Sequence, residues 1–503
     1  MSQPKTLLEL IQVAPGGNIA FLLPEAGIRV SYDSLRKQVS AMADDLASVG
    51  IGRGDRVATV LPNGLPAVVS FLAGSVAGTA APLNPVYRED EFTFFLEDTN
   101  AKVLLCMAEG AEAARKAAAA QGIPVYTLEM DANGIVTIAG APHGKTAAAP
   151  TGDDIALVLH TSGSTGRPKR VPIRHRNITA STGNIVATYS LTSKDVSLCV
   201  MPLFHVHGLV ASTLSTLLSG GTVAVPNKFN PLSFWRTVSD TGATWYSAVP
   251  TIHNLLLSRA KEPPAGREGL RFIRSCSAAL PPEMMAKMEE LFGAPVLEAY
   301  GMTEASHQMS SNPQPPLKRK PGSVGPGTGV KIGILDDAGN VLGAGERGEV
   351  CIKGPNVVSE YENNPEATAK SFTNGWFRTG DQGFLDEDGY LTLTGRLKEL
   401  INRGGEKIGP REIDEVLLAH PAVAEALAFG VPHAMWGEEV NAAVVLKEGL
   451  GEPATEAAIL AFCKERLADF KMPKKLFMVE TIPRTATGKI QRGAVGKALA
   501  GGQ

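Results

Sequence analysis

Short, nearly continuous apolar runs recur along the first 330 residues, and helical or turn-rich stretches separate them. Residues 57–61, 103–105, 124–126, 155–159, 222–225 and 271–273 are the clearest of these runs. Strands that are apolar throughout, rather than alternating, belong in sheets covered on both faces, with helices packed between them. Residues 57–87 carry no charged side chain, yet Pro62, Asn63, Pro66 and Pro82 cut the stretch into pieces shorter than a bilayer span. The pattern therefore predicts a buried strand at 57–61, a small-residue helix at 67–76 and a second strand. In 208–226, Gly220-Gly221 separates a helix from a strand in the same way. An alanine-rich helix is predicted at 110–121 and a surface loop at 140–152. From Gly322 onward the pattern shifts to strands at 331–335, 349–352 and 390–394, joined by Asp-Gly turns, as in a β-rich subdomain. Past residue 398 it becomes a compact α/β module with helices near 410–418 and 455–467.

At 503 residues the chain exceeds what one core usually serves, so at least two domains are expected. The net charge, 48 − 51 = −3, argues against a general nucleic-acid binder. One basic cluster, Arg396, Lys398, Arg403, Lys407 and Arg411, is offset by Glu399 and Glu406; it is expected to meet phosphates or to position the last module. Cys106, Cys199, Cys276, Cys351 and Cys463 are scattered with no C-x-x-C pair, which suggests neither a disulfide framework nor a zinc site. With no signal-peptide-like start and no peroxisomal address, a cytoplasmic location is expected.

The densest chemistry follows the run 155–159: His160-Thr161-Ser162-Gly163-Ser164-Thr165-Gly166-Arg167-Pro168-Lys169. Glycines let backbone N–H groups turn toward an anion, while the hydroxyls and Lys169 add donors and charge. The stretch is suited to phosphate, though its spacing is not that of the Walker loop.

This turn resembles the phosphate loop of the adenylate-forming enzymes, which include acyl-CoA synthetases, 4-coumarate–CoA ligases, luciferases and non-ribosomal adenylation domains. Five further segments resemble the motifs of that superfamily, in the same order. They are Pro202-Leu203-Phe204-His205-Val206-His207-Gly208, Tyr300-Gly301-Met302-Thr303-Glu304, Trp376-Phe377-Arg378-Thr379-Gly380-Asp381, Gly395-Arg396-Leu397-Lys398-Glu399-Leu400-Ile401 and Pro483-Arg484-Thr485-Ala486-Thr487-Gly488-Lys489. Together the six span most of the chain. The resemblance implies an α/β protein whose large N-terminal domain, residues 1–397, combines two parallel-type αβ subdomains with a β-rich one. A small, mobile α+β C-terminal domain, 398–503, would turn about Lys398.

The resemblance also implies a reaction. A carboxylate is a poor acyl donor; attack on the α-phosphorus of ATP gives an acyl-adenylate and pyrophosphate, and the thiol of coenzyme A then takes the acyl group. Thr161, Ser162, Gly163, Ser164, Thr165, Gly166 and Lys169 would hold the β- and γ-phosphates. Thr303 would bond the α-phosphate, and Glu304 would bind Mg²⁺, a hard cation suited to oxygen ligands. Asp381, supported by Arg396, would accept bonds from both ribose hydroxyls. Ser277, Ala278 and Ala279 with Glu298, Ala299, Tyr300 and Gly301 would form the adenine slot. Lys489 would place its ammonium between carboxylate and α-phosphate, with His205 in the catalytic set. Lys398 would be the hinge, and Gly404 and Gly405 would border the coenzyme A channel.

Acyl specificity falls between the motifs. His207, His253, Arg274, Ser275 and His307 are a polar set where a long-chain acid would need an apolar tunnel, and they suit the second anionic end of a small acid. The bulk of His307 also shortens the cavity. Residues 243–253, 271–277 and 304–313 resemble oxalyl-CoA synthetases closely, which implies oxalate, with Ser275 and His307 on its distal carboxylate. Malonate, glycolate, a short-chain acid or an aromatic acid such as 4-coumarate stay open as substrates, as does a carrier protein as acceptor. Neither nucleic acid nor membrane is expected as a partner, and the oligomeric state is left open.

Overall fold

The computed structural model describes residues 3–161, 168–404, 406–447, 454–484 and 492–500. The chain divides into two compact units. One comprises Met1–Leu280, Met284–Ile332 and Ile352–Phe377; the other comprises Pro281–Glu283, Gly333–Cys351 and Arg378–Gln503. Lys398 lies within the second, exposed on the single turn Leu397–Glu399.

The first unit holds two mainly parallel sheets. Seven strands run in the order Val136–Ile138, Val125–Met130, Ala101–Met107, Arg56–Val60, Thr79–Leu83, Ile155–Thr161 and Lys169–Arg174. The inner pairings are parallel and the two edge pairings antiparallel. Eight strands form the second sheet, in the order His307–Ser311, Val296–Met302, Phe272–Ser275, Trp245–Ala248, Val196–Leu198, Thr222–Ala224, Ile19–Leu23 and Ile28–Ser31. All five residues of Arg56–Val60 are buried, and Leu65–Ala77 is the helix expected from the uncharged stretch, with proline in its first turn. No helix among the described residues is long and apolar enough to cross a membrane.

Parallel sheets gather function at the carboxyl ends of their strands. Ser247, Arg274 and Ser275 lie at such ends, with Ser247 opposite Arg274 and Ala248 opposite Ser275. The helix expected after residue 208 departs from the ordinary form: His207–Leu214 is a π-helix, continued by the α-turn Ser215–Leu218. Its cause is local. The α-carbon of Gly208 is pressed against the carbonyl oxygens of Pro202 and Met201, so a side chain there would clash at 2.4 Å and 2.6 Å. The Thr213 hydroxyl also donates to the Gly208 carbonyl at 2.9 Å. The extra residue in this turn brings His207 in at the start of the helix, as π-bulges often do at functional sites.

In the second unit, strands Val423–His433 and Gly437–Leu446 form a long antiparallel pair. Ile401–Arg403 pairs with Glu406–Ile408 and joins this pair on one side, and Lys475–Met478 runs parallel to Gly437–Leu446. Helices Pro410–Leu418 and Glu456–Lys464 bury Ile413, Leu417, Ile459 and Cys463 against the sheet. Within the same unit, Asp381 stands opposite Arg396 across an antiparallel pairing.

Candidate active site

The hairpin Ile155–Thr161/Lys169–Arg174 closes with Thr161 opposite Lys169, so both ends of the phosphate-suited turn are fixed by strand register. Ser162, Gly163, Ser164, Thr165 and Gly166 lie outside the described residues, as do Gly405 and Lys489. Glu304 sits on the short turn Thr303–Ala305 directly after strand Val296–Met302 and is buried, while Thr303 is half-buried. Two hydroxyls donate to the same carboxylate oxygen of Glu304: Thr161 Oγ1 at 3.3 Å and Tyr361 Oη at 2.8 Å. Its other oxygen, Oε2, accepts nothing among the described residues. The Lys169 ammonium lies 4.5 Å from the centre of the Tyr361 ring. A carboxylate oxygen that takes no bond among the described residues is a hard ligand suited to magnesium, and the Lys169 ammonium nearby suits the charge of phosphates, so these residues fit magnesium with a phosphate ligand.

On the acyl side the centre is Arg274, which is fully buried. Its five N–H bonds all end on neutral groups. Nε donates to the Tyr189 hydroxyl at 2.9 Å, Nη1 to Ser247 Oγ at 2.9 Å and His207 Nε2 at 3.4 Å, and Nη2 to His307 Nε2 at 3.0 Å and Gln308 Oε1 at 3.1 Å. No carboxylate pairs with it among the described residues. The rings of His207 and His307 stack with centres 5.1 Å apart. Because a guanidinium only donates, Nε2 of each ring must accept and Nδ1 must carry the hydrogen. The Nδ1 of His207 meets Ser277 Oγ at 3.1 Å. That of His307 has no partner among the described residues, nor has the buried hydroxyl of Ser275. His307 holds a φ of 111°, a region that favours glycine, so its ring is placed at a cost of about 1–3 kcal/mol. Gly301 is required beside it, since a side chain there would meet the His307 carbonyl oxygen at 2.2 Å.

The remaining residues fall in three places. Ser277, Ala278 and Ala279 form an exposed bend after strand Phe272–Ser275, with Ser277 at a φ of 72°. Oε1 of Glu298 accepts the Leu280 N–H at 3.0 Å and anchors that bend, while Ala299 and Tyr300 continue the neighbouring strand. His205 is half-buried with its ring against Phe204, and His253 is buried and packs on Tyr246. In the second unit, Arg396 Nε reaches Asp381 Oδ1 at 3.3 Å, and the Gly404 N–H donates to the Trp436 carbonyl at 2.8 Å. Sequence reasoning missed Tyr361, Tyr189 and Gln308. No motif marks Tyr361 or Tyr189, and Gln308 lies within 304–313 without being singled out, because each meets its partner only through the fold.

Four buried histidines set an acid limit on stability. Burial pushes His175 down to about 4 and His253 to about 3, and burial followed by the Arg274 charge holds His207 and His307 well below their usual value of 6.5. The unfolded chain takes up protons near 6.5 while the folded chain does not, so stability is lost as pH falls below that value. Each histidine contributes about 1.4 kcal/mol per pH unit to this loss. Urea midpoints should therefore fall between pH 7.5 and 5.0; a flat or rising stability would contradict neutral, buried rings.

Residues 11–362 match the AMP-binding enzyme family and residues 412–489 match its C-terminal domain. The chain belongs to this family of adenylate-forming enzymes, and it is an AMP-forming acyl-CoA ligase. It is 48% identical over 475 residues to an oxalate–CoA ligase of Arabidopsis thaliana, covering 92% of this chain and 91% of that one. Over 486 residues it is 47% identical to a probable CoA ligase, CCL9, of Humulus lupulus, with coverage of 94% and 92%. Among solved structures, o-succinylbenzoate coenzyme A synthetase from Bacillus subtilis in complex with ATP and magnesium ion superposes with a TM-score of 0.84. That protein is 30% identical, with 98% of this chain and 99% of the other covered.

Proposed function

We propose that the protein is an oxalate–CoA ligase. The observation that carries this reading is the buried Arg274 cation, saturated by neutral partners and lacking a carboxylate, with Ser275 Oγ and His307 Nδ1 left as open donors. A buried charge is costly unless an opposite charge joins it. Oxalate carries a second carboxylate directly beside the reacting one, and a dianion of that size supplies the missing charge. Arg274 acts from behind the two rings. It fixes the tautomer of each, so that His307 offers its Nδ1–H while the ring stays neutral.

In the first half-reaction one oxalate carboxylate oxygen attacks the α-phosphorus, the bond to the β-phosphate oxygen breaks, and pyrophosphate leaves. Thr161 and Lys169 would neutralise the phosphates, Thr303 would bond the α-phosphate, and Glu304 would hold magnesium, which when bound withdraws charge from the phosphate oxygens. Asp381 and Arg396 would hold the ribose, and Lys489 would bridge the reacting oxygens. In the second half-reaction the coenzyme A sulfur attacks the oxalyl carbonyl carbon and AMP leaves. The domain carrying Gly404, Gly405 and Lys489 would turn about Lys398 between the two steps.

The test is oxalate-dependent exchange of pyrophosphate into ATP by the protein and two variants. Ser275→Ala and His307→Ala should each lower kcat/KM for oxalate about 10- to 100-fold, the loss of one hydrogen bond to a charged group. Full exchange with oxalate in both variants would remove these residues from the distal carboxylate.

A further inference from the structure

Tyr361 lies outside every motif discussed above, yet it touches two of the groups assigned to ATP. We propose that Tyr361 is a positioning residue for magnesium: its hydroxyl holds one oxygen of Glu304 so that the other faces the metal. The inference rests on the reading of Glu304 as the metal-binding carboxylate.

The geometry supports a dedicated anchor rather than a core tyrosine that happens to be satisfied. The Tyr361 hydroxyl and Thr161 Oγ1 both donate to Oε1 of Glu304, at 2.8 Å and 3.3 Å, and Oε2 takes no bond among the described residues. Two donors on one oxygen stop the carboxylate from rotating, and an immobilised ligand binds without first losing rotamer freedom.

The segment carrying Tyr361 is itself fastened to the Glu304 turn. The Val358 N–H donates to the Glu304 carbonyl at 2.9 Å, Asn356 Nδ2 donates to the Ala305 carbonyl at 2.8 Å, and Ser306 Oγ donates to the Asn356 carbonyl at 2.9 Å. On its far side, the Glu362 N–H donates to the Arg170 carbonyl at 3.0 Å, one residue beyond Lys169. The ring, 7% exposed, also gives the Lys169 ammonium a face to rest on at 4.5 Å. One side chain therefore sets the place of both a candidate metal ligand and a candidate phosphate cation.

A competing physical effect makes the sign informative. Two hydrogen bonds also draw electron density from the carboxylate and weaken it as a ligand. Positioning dominates only if removal of the hydroxyl weakens magnesium binding.

The experiment titrates Mg²⁺ against ATP binding, followed by ATP-induced thermal shift with neither acid nor coenzyme A present. Tyr361→Phe keeps the ring under Lys169 and loses only the hydroxyl. Its Mg²⁺ midpoint should rise about tenfold, while ATP binding in EDTA and thioester formation from supplied acyl-adenylate stay unchanged. Tyr361→Leu should add a loss of ATP binding in EDTA, because the ring is gone. A midpoint in Tyr361→Phe that is unchanged or lower overturns the inference, as does an equal fall in both half-reactions, which would mark a purely structural residue. Glu304→Gln separates the two readings. If it leaves the midpoint unmoved, the assignment of Glu304 fails first; if it raises the midpoint while Tyr361→Phe does not, only the role of Tyr361 falls.

Discussion

Arg274→Met should lower kcat/KM for oxalate by about 10²- to 10³-fold, or roughly 3–4 kcal/mol, the range for removing one member of a buried charge pair. Two losses combine. The cation proposed to balance the second carboxylate disappears, and the two imidazoles are no longer held as Nδ1–H tautomers, since the bonds from Nη1 to His207 and from Nη2 to His307 are gone. Acetate has no distal charge to lose, so its turnover should change far less and the preference for oxalate over acetate should collapse. ATP binding without acid should persist. The check is kcat/KM for both acids by AMP release, with ATP affinity measured separately. An unchanged oxalate-to-acetate ratio would show that the guanidinium serves packing alone.

Asp381→Asn should weaken ATP binding by about 100-fold with little change in thermal stability. A carboxylate accepts both ribose hydroxyls, and each charge-assisted bond is worth about 1.5–3 kcal/mol, part of which the amide retains. The stability cost is small because Arg396, the partner at 3.3 Å, has a side chain that is 51% exposed and is solvated once the carboxylate is gone. The signature is loss of discrimination: the parent protein should prefer ATP over 2′-deoxy-ATP, and the variant should bind the two alike. Equal weakening toward both nucleotides, with the preference intact, would move the ribose contact elsewhere.

The sequence offers these two residues as candidates on different grounds. Asp381 stands inside a contiguous motif, and the strand pairing that sets Arg396 opposite it follows from a short hairpin-like connection. For Arg274 the sequence offers only a candidate polar residue for the acyl pocket, and its bonding is not readable there. The groups that absorb its N–H bonds come from Tyr189, Ser247, His207, His307 and Gln308, up to 85 residues away in the chain. Tyr361 was invisible for the same reason, since its partner Glu304 is 57 residues distant. The apolar runs predicted the strands well, because burial on both faces leaves a composition signal. Two backbone departures left none: nothing at His307 announces a positive φ, and nothing at 207–214 announces a π-helix. Short-range chemistry is written along the chain, whereas tautomers, open donors and unpaired charges belong to the packed molecule.

The most direct measurement offers the protein an equimolar mixture of oxalate, malonate, glycolate, acetate, octanoate and 4-coumarate with ATP, Mg²⁺ and coenzyme A, and identifies the thioesters formed by mass spectrometry. Oxalyl-CoA as the dominant product, formed in step with AMP, is the predicted result. Dominance of octanoyl- or 4-coumaroyl-CoA would contradict the small-dianion pocket around Arg274.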